Sequence, residues 1–313
     1  MTANILQWLF FISSIILLPI LTISTIRKTK ARLQNRIGPR WLQPLFDFCR
    51  LFKKDETISN TMSGVFRLST VACLAIMLLL AWLTPWLAYK PWAPNADLFL
   101  ILYLVGTARL LTLLGAMDAG SAFGAFGASR EATLSLLVEP AALLGFASLG
   151  VLAGSSDLRV IFSLSNNALE ANPTVWILVG SAILLASLVE LSRMPVDDPT
   201  THLELTMVHE AMILEASGRN LSLIEFTHAL HMCILFGLSA ECYLRAIPYF
   251  WTASAEIHMA ASVAGILIIA AAVGIFEGTA VKLQWRKVPE FIAYSMTMSL
   301  LAAFIASAGG ILK

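Results

Sequence analysis

The amino-acid sequence predicts an all-α polytopic membrane protein with eight transmembrane helices. Both termini are expected on the outer side, with large cytoplasmic connections between helices 1 and 2 and between helices 5 and 6. Three observations carry this. Hydrophobic residues make up 58% of the 313 and charged residues only 13%, with a mean hydropathy of +0.78, whereas soluble domains are roughly a quarter charged. Eight segments reach the roughly 20 apolar residues that a bilayer core requires. The basic residues also segregate: sixteen fall on the odd-to-even connections and their edges, and four on the opposite side. By the positive-inside rule those connections are cytoplasmic. A seven-helix count would spoil the separation.

The eight expected spans are 5–25, 67–89, 97–117, 132–154, 174–192, 222–244, 258–280 and 289–311, within a single integral membrane domain covering 1–313. The first is read as a span rather than a cleavable signal, because its flanking charge follows the apolar run. The connection 26–66 holds nine basic residues, with Arg67 at its edge. Span 3 carries Arg109 inside it. The stretch Asp118 to Glu131 is rich in small residues and reads as a compact connector or a close helix packing. Span 4 holds Glu139 directly before Pro140, and span 5 ends near Glu190.

The 193–221 connection is the most chemically loaded, with Arg193, Asp197, Asp198, His202, Glu204, His209, Glu210, Glu215 and Arg219. Pro195 and Pro199 end span 5 irregularly. From Thr200 to Glu215 the pattern suits an amphipathic helix with Leu203, Met207, Ala211 and Leu214 on its apolar face and the histidines elsewhere. That combination favours a docking surface for a soluble partner over a merely solvated loop.

Charge inside a span costs roughly 2.5–3.5 kcal/mol per residue on insertion scales. Arg109, Glu131, Glu139, Glu190, Glu225, Glu241 and Glu277 therefore stand out. For Glu131 and Glu241, near span ends, snorkelling to water is the competing reading. Glu139 reads as a proton-relay member, with an ion pair to Arg109 or Arg130 as the bland alternative. Glu225, His228 and His231 recur at i, i+3 and i+6, sweeping about 120° of one helix. Three metal ligands from one helix are awkward, so a polar seam facing a subunit or a water channel is favoured, and no metal is expected.

Other chemistry is excluded by absence. The cysteines at 49, 73, 233 and 242 form no CxxC. Cys233 and Cys242 are about 13 Å apart along a helix, too far for a disulfide. No phosphate loop, GxSxG elbow or HExxH is present. A net charge of +1 gives no nucleic-acid footprint. Any redox centre this protein serves is expected on another chain.

The run Arg32, Asn35-Arg36-Ile37-Gly38-Pro39, Leu42-Gln43-Pro44, Asp47 and Leu51-Phe52-Lys53 resembles the first cytoplasmic loop of the complex I subunit 1 family. Asp118, Gly120-Ser121, Phe123, Gly127 to Ala132, Leu137 to Pro140 and Phe276-Glu277 resemble the branch that anchors group 4 energy-converting [NiFe] hydrogenases and formate hydrogenlyases, being similar to hydrogenase-4 component C. Arg130 and Glu139 match positions on the family's route into its charged axis. Glu190, Arg193, Pro195, Asp197 and Glu204 match its Glu–Arg–Pro–Phe–Asp and acidic-loop pattern. Val196 replaces the usual Phe, and Thr200 and His202 stand where relatives carry carboxylates, which points to a distinct hydrogenase-like subgroup.

The resemblance implies a non-redox membrane-anchor and coupling subunit in a bacterial or archaeal cytoplasmic (inner) membrane, part of an oxidoreductase complex. It implies proton-relay roles for Glu139, Glu190, Glu204, Glu131, Asp197 and Glu277. It implies partner docking through Arg32, Arg36, Arg40, Gln43, Asp47, Arg130, Arg193, His202, His209 and Glu210. The partners implied are an iron–sulfur small subunit and a large hydrogenase-like subunit on the cytoplasmic face, holding [4Fe-4S] clusters and [NiFe], beside antiporter-like membrane subunits that move H⁺ or Na⁺. No cofactor is expected in this chain. The alternatives are the quinone-chamber subunit of a respiratory NADH dehydrogenase and a stand-alone cation transporter. The latter is disfavoured by the absence of internal repeat symmetry.

Overall fold

The structure, a computed structural model, describes residues 2–59, 62–87, 95–163, 167–197 and 208–311. Among them eight helices are long and apolar enough to cross a membrane. They are α1 (Thr2–Leu33), α3 (Gly64–Leu83), α4 (Leu98–Asp118), α5 (Ala122–Ala153), α8 (Pro173–Glu190), α10 (Gly218–Arg245), α12 (Ala255–Thr279) and α13 (Val288–Ile311). Short helices join them: α2 (Gln43–Phe52), α6 (Leu158–Ile161), α7 (Asn167–Glu170), α9 (His209–Ile213) and α11 (Tyr249–Thr252).

The apolar runs form helices because a spanning backbone must satisfy its own hydrogen bonds. The predicted spans sit within or close to the observed ones. The largest difference is α5, which starts ten residues earlier than expected. Its Ser121 N-cap accepts from the Gly124 amide at 3.1 Å, so the small-residue stretch is mostly helix. Asp118 ends α4 by capping α3: it accepts from the Ser63 and Phe66 amides at 2.9 and 3.1 Å. That satisfies orphan donors and favours the helix dipole.

α10 is the central element, touching α1, α2, α3, α8 and α12. α13 packs on α5 and α8, α1 on α12, and α3 on α4. Serines tie the helices across their interfaces, with Ser239 donating to the Gly180 carbonyl (2.9 Å), Ser295 to Ala182 (2.8 Å) and Ser299 to Ala141 (2.7 Å). Such interhelical bonds contribute about 0.6 kcal/mol each in lipid.

The connections gather at two ends. At one end, Thr57 bonds Ser217 (2.9 Å), Ser63 bonds Asp118, and Lys282 pairs with Asp197 (2.5 Å). At the other, the Ala96 amide donates to Asp157 (3.2 Å) and Arg245 donates to the Phe162 carbonyl (2.7 Å). The odd-to-even connections thus share one end, as the charge partition requires. Beside the second end lies an aromatic knot, Trp176 against Phe162 and Trp251 at 5.2 and 6.4 Å between centroids.

Glu241 is fully buried rather than snorkelling. It accepts from Ser262 and bonds His258 at 2.9 Å. Glu131 is buried as well.

Candidate functional site: a charged centre between α4, α5, α8 and α10

Arg109 lies about 14 Å from the Asp118 end of α4 at 1.5 Å per residue. A guanidinium at that depth needs anions, and two helices supply them. Arg109 Nη1 pairs with Glu139 of α5, and its Nη2 lies 2.7 Å from Glu190 Oε1 at the end of α8. His231 of α10 approaches the same oxygen at 3.3 Å. The Arg109 Nη2, Glu190 Oε1 and His231 Nε2 atoms are buried and lack a directed hydrogen bond. The Arg109–Glu190 contact is an ion pair, and His231 Nε2 stands close to the same carboxylate.

The two carboxylates on Arg109 differ in setting. The Glu190 side chain is 10% exposed, and that of Glu139 47%. Glu139 sits about 26 Å from the start of α5 and about 21 Å from its end. Its outward neighbours one turn away, Leu136 and Leu143, are exposed apolar residues. About half of the Glu139 side chain thus lies on the outer surface of the bundle near the middle of a spanning helix. The helix runs on through Pro140.

Glu131, one face round on α5, accepts from Ser192 Oγ at 3.3 Å. Ser192 holds a φ of +47° where the chain leaves α8. Beyond it Arg193 pairs with Glu277 at 3.2 Å and donates to the Met232 sulfur at 3.4 Å. Asp197 is buried, bound by Lys282 and by the Val208 amide (2.9 Å). This carboxylate pins Val208 at the start of α9.

His209 opens α9 and turns inward, where its ring stacks on His228 with centroids 4.4 Å apart and planes at 26°. Burial, then the nearby Arg193, push it down to about 4. It is therefore neutral at pH 7. It borders a cavity of about 110 Å³ together with Arg109, Glu131, Glu190, His228 and His231 and with the apolar Phe66, Cys73 and Met212. Among the described residues no group of three or more His, Cys, Asp or Glu is placed to hold a metal ion.

The structure brings Glu139, Glu190 and Glu131 together around Arg109. Asp197 and Glu277 sit in neighbouring pairs. Glu204 and His202 lie outside the described residues. The basic residues Arg32, Arg36 and Arg40 line an open cleft with Lys28, around the 93%-exposed Ile37. Gln43 and Asp47 bond each other (3.0 Å), and Asp47 faces Arg27 at 3.7 Å. Arg130 stacks on Phe126 and Trp285 (3.9 and 5.2 Å). Glu210 is half-buried beside His209. Of the expected 200–215 helix, residues 200–207 with Leu203 and Met207 lie outside the described residues, and the rest differs from the expected face. Ala211, Met212 and Ile213 point in, and Leu214 points out. Sequence reasoning missed Lys282 as the Asp197 partner and His231 as the third group on Glu190, although the His228/His231 spacing was a usable signal.

Comparison with known proteins places these features in a family. The chain is 31% identical to hydrogenase-4 component C of Escherichia coli strain K12 over 222 residues, covering 70% of this chain and 68% of that one. It is 26% identical to formate hydrogenlyase subunit 4 of the same organism over 286 residues, 88% of this chain and 92% of that one. It is 30% identical to a subunit of the NADH-quinone oxidoreductase of Flavobacterium johnsoniae over 193 residues, 55% and 53% of the two chains. Its fold matches a chain in the membrane-bound sulfane sulfur reductase, an archaeal respiratory membrane complex, with a TM-score of 0.75 at 16% identity, over 97% and 99% of the two chains. With residues 6–308 matching the family profile, this chain belongs to the NADH dehydrogenase family.

Proposed function

We propose that this chain is the non-redox anchor and coupling subunit of a complex I-like or group 4 [NiFe] hydrogenase-type assembly. The basic cleft and the 193–221 connection dock an iron–sulfur small subunit and a large hydrogenase-like subunit, which hold the [4Fe-4S] and [NiFe] centres. That face is cytoplasmic, and the membrane is the bacterial or archaeal inner membrane. Redox-linked protonation changes at Glu190, Glu131, Asp197 and Glu204 pass through Arg109 to Glu139, and from there to antiporter-like subunits moving H⁺ or Na⁺.

The observation that carries this reading is Glu139, half on the outer surface at mid-helix and tied inward to Arg109. Facing hydrocarbon, an ionised carboxylate there costs roughly 2.5–3.5 kcal/mol. Facing a polar partner, it becomes the terminus of an internal charge path. Relatedness to hydrogenase-4 and formate hydrogenlyase subunits supports the class of assembly.

The test is Glu139→Gln in the whole complex. Assembly and electron transfer to artificial carriers should persist while coupled ion movement falls. Unchanged ion movement retires the role. Arg36→Ala or Arg40→Ala should weaken retention of the soluble subunits on membranes, more so at high salt. Retention indifferent to salt would refute the electrostatic part.

A further inference from the structure

Three histidines border one cavity, and the charge path from Glu190 to Glu139 does not use them. His209 begins α9, outside the spanning helices, while the far side of that segment, Leu214 and Glu215, is exposed. His228 and His231 lie one turn apart on α10. All three border the cavity that also reaches Glu190. We infer that His209, His228 and His231, bridged by water in that cavity, form a proton inlet from the α9 face to the Glu190 carboxylate. The inference deepens the coupling function proposed above and rests on it.

Geometry supports the water. A cavity of about 110 Å³ has room for several waters, and hydrogen-bonding side chains border it, among them Thr112, Thr227, Glu131 and the three histidines. The His209 and His228 rings are stacked, so their N–H bonds lie in nearly parallel planes and do not point at each other. A proton crosses between them through a third group. His231 then stands 3.3 Å from Glu190, within reach of a direct or single-water transfer.

Each step moves one proton and no electron. A ring nitrogen of His209 takes a proton from water, and the other nitrogen releases one to the cavity. His228 and His231 repeat this, and the proton comes to rest on Glu190. Each imidazole ends with the charge it began with. The surrounding charges suit a transient cation rather than a resident one. Arg193 opposes a cation at His209 and His228, Asp197 attracts one at His209, and Glu190 lies beside His231 at 3.3 Å. Glu210, beside His209, is the acidic group nearest the mouth in sequence.

The experiment uses inverted vesicles holding the intact complex, driven by its own electron transfer. His228→Ala, with assembly checked by co-purification, should slow coupled proton uptake about tenfold or more, and added imidazole should restore it. A packing role is not rescued by free imidazole. If His228→Ala does not assemble, His209→Gln reads the same path through an enlarged solvent isotope effect on uptake. Glu190→Gln is run alongside. Loss in Glu190→Gln with full rates in both histidine variants overturns the inlet and leaves the relay standing, as does loss in His228→Ala without rescue. Full rates in Glu190→Gln overturn the relay reading, and the inlet falls with it.

Discussion

Arg109 is the test of whether the buried centre is held by one shared cation. Its side chain is 9% exposed, and Glu190 is enclosed beside it at 2.7 Å. At an effective dielectric of about 20, charges about 4 Å apart attract by roughly 4 kcal/mol, and Arg109 has two such partners. Much of that gain offsets the desolvation of three ions. Removing the cation leaves the cost without the gain, so Arg109→Gln should destabilise the fold by about 3–5 kcal/mol. Most of the loss comes from the stranded Glu190, since Glu139 still reaches the outer surface. Arg109→Gln combined with Glu190→Gln should therefore recover more than half of it. The assay is reversible unfolding in bicelles on both single variants and the double, analysed as a cycle. Coupling below about 0.5 kcal/mol between the two positions would mean that the contact carries no net interaction, and the shared-cation account would be abandoned.

Two further outcomes follow from local geometry. His209 sits at about 4 against an ordinary histidine value of 6.5. A released segment takes up a proton as pH falls through 6.5, whereas the docked one does so only near 4. Docking is therefore at full strength above about 6.5 and weakens towards 4, by up to about 3 kcal/mol at 1.36 kcal/mol per unit. Hydrogen exchange across 208–214, corrected for intrinsic rates, should accelerate from pH 7 to 5 and lose that pH dependence in His209→Gln; equal protection at both pH values in the unaltered chain contradicts the burial of this ring. Gly218 has a φ of +52°, and a Cβ there would stand 2.5 Å from the Asp55 carbonyl oxygen. Gly218→Ala should cost about 1–2 kcal/mol for the left-handed backbone alone, displace the 54–57 strap and expose it to protease, and an unchanged melting temperature with an intact strap would count against the close approach.

The spans were legible because hydropathy and charge asymmetry are properties of contiguous sequence. The start of α5 was legible only in part: Asp118 to Glu131 reads by composition as a compact connector or a close helix packing, and most of it is helix with small residues at a contact. A Cβ on Gly127 would come within 2.8 Å of the Val208 carbonyl oxygen, so this part of α5 is narrow to let the α9 segment approach. The inward turn of His209 was invisible for a related reason. A five-residue helix has too little periodicity to fix its face, and its orientation comes from Asp197 holding the Val208 amide and from the His228 ring waiting on α10. Arg109 and Glu139 were recognisable as misplaced charges, and their pairing was one of the options. That Glu190 shares the same guanidinium from 81 positions away depends on helix packing, which local pattern does not encode. The Glu241–His258 pairing was hidden similarly: Glu241 stood out as a charge near a span end, but no local pattern linked it to His258.

The arrangement around Arg109 bears on how a charge change at one end of the bundle reaches its outer surface. One guanidinium serves two carboxylates, one enclosed and one half on the periphery. Under the proposed relay, a proton on Glu190 would remove one of the two anions and leave the cation to Glu139 alone, and two such settings of the side chain would be the kind of element that coupling between separated sites requires. Glu131, buried on the same helix as Glu139 and bonded to Ser192 where α8 ends, ties the setting of the centre to the backbone of the 193–197 turn. Asp197 and Lys282 fasten that turn to the last connection. A partner that moves the turn would therefore act on the balance at Arg109 through contacts already in place, and a coupling of the usual 1–3 kcal/mol lies within the roughly 4 kcal/mol attraction of a single carboxylate for that cation.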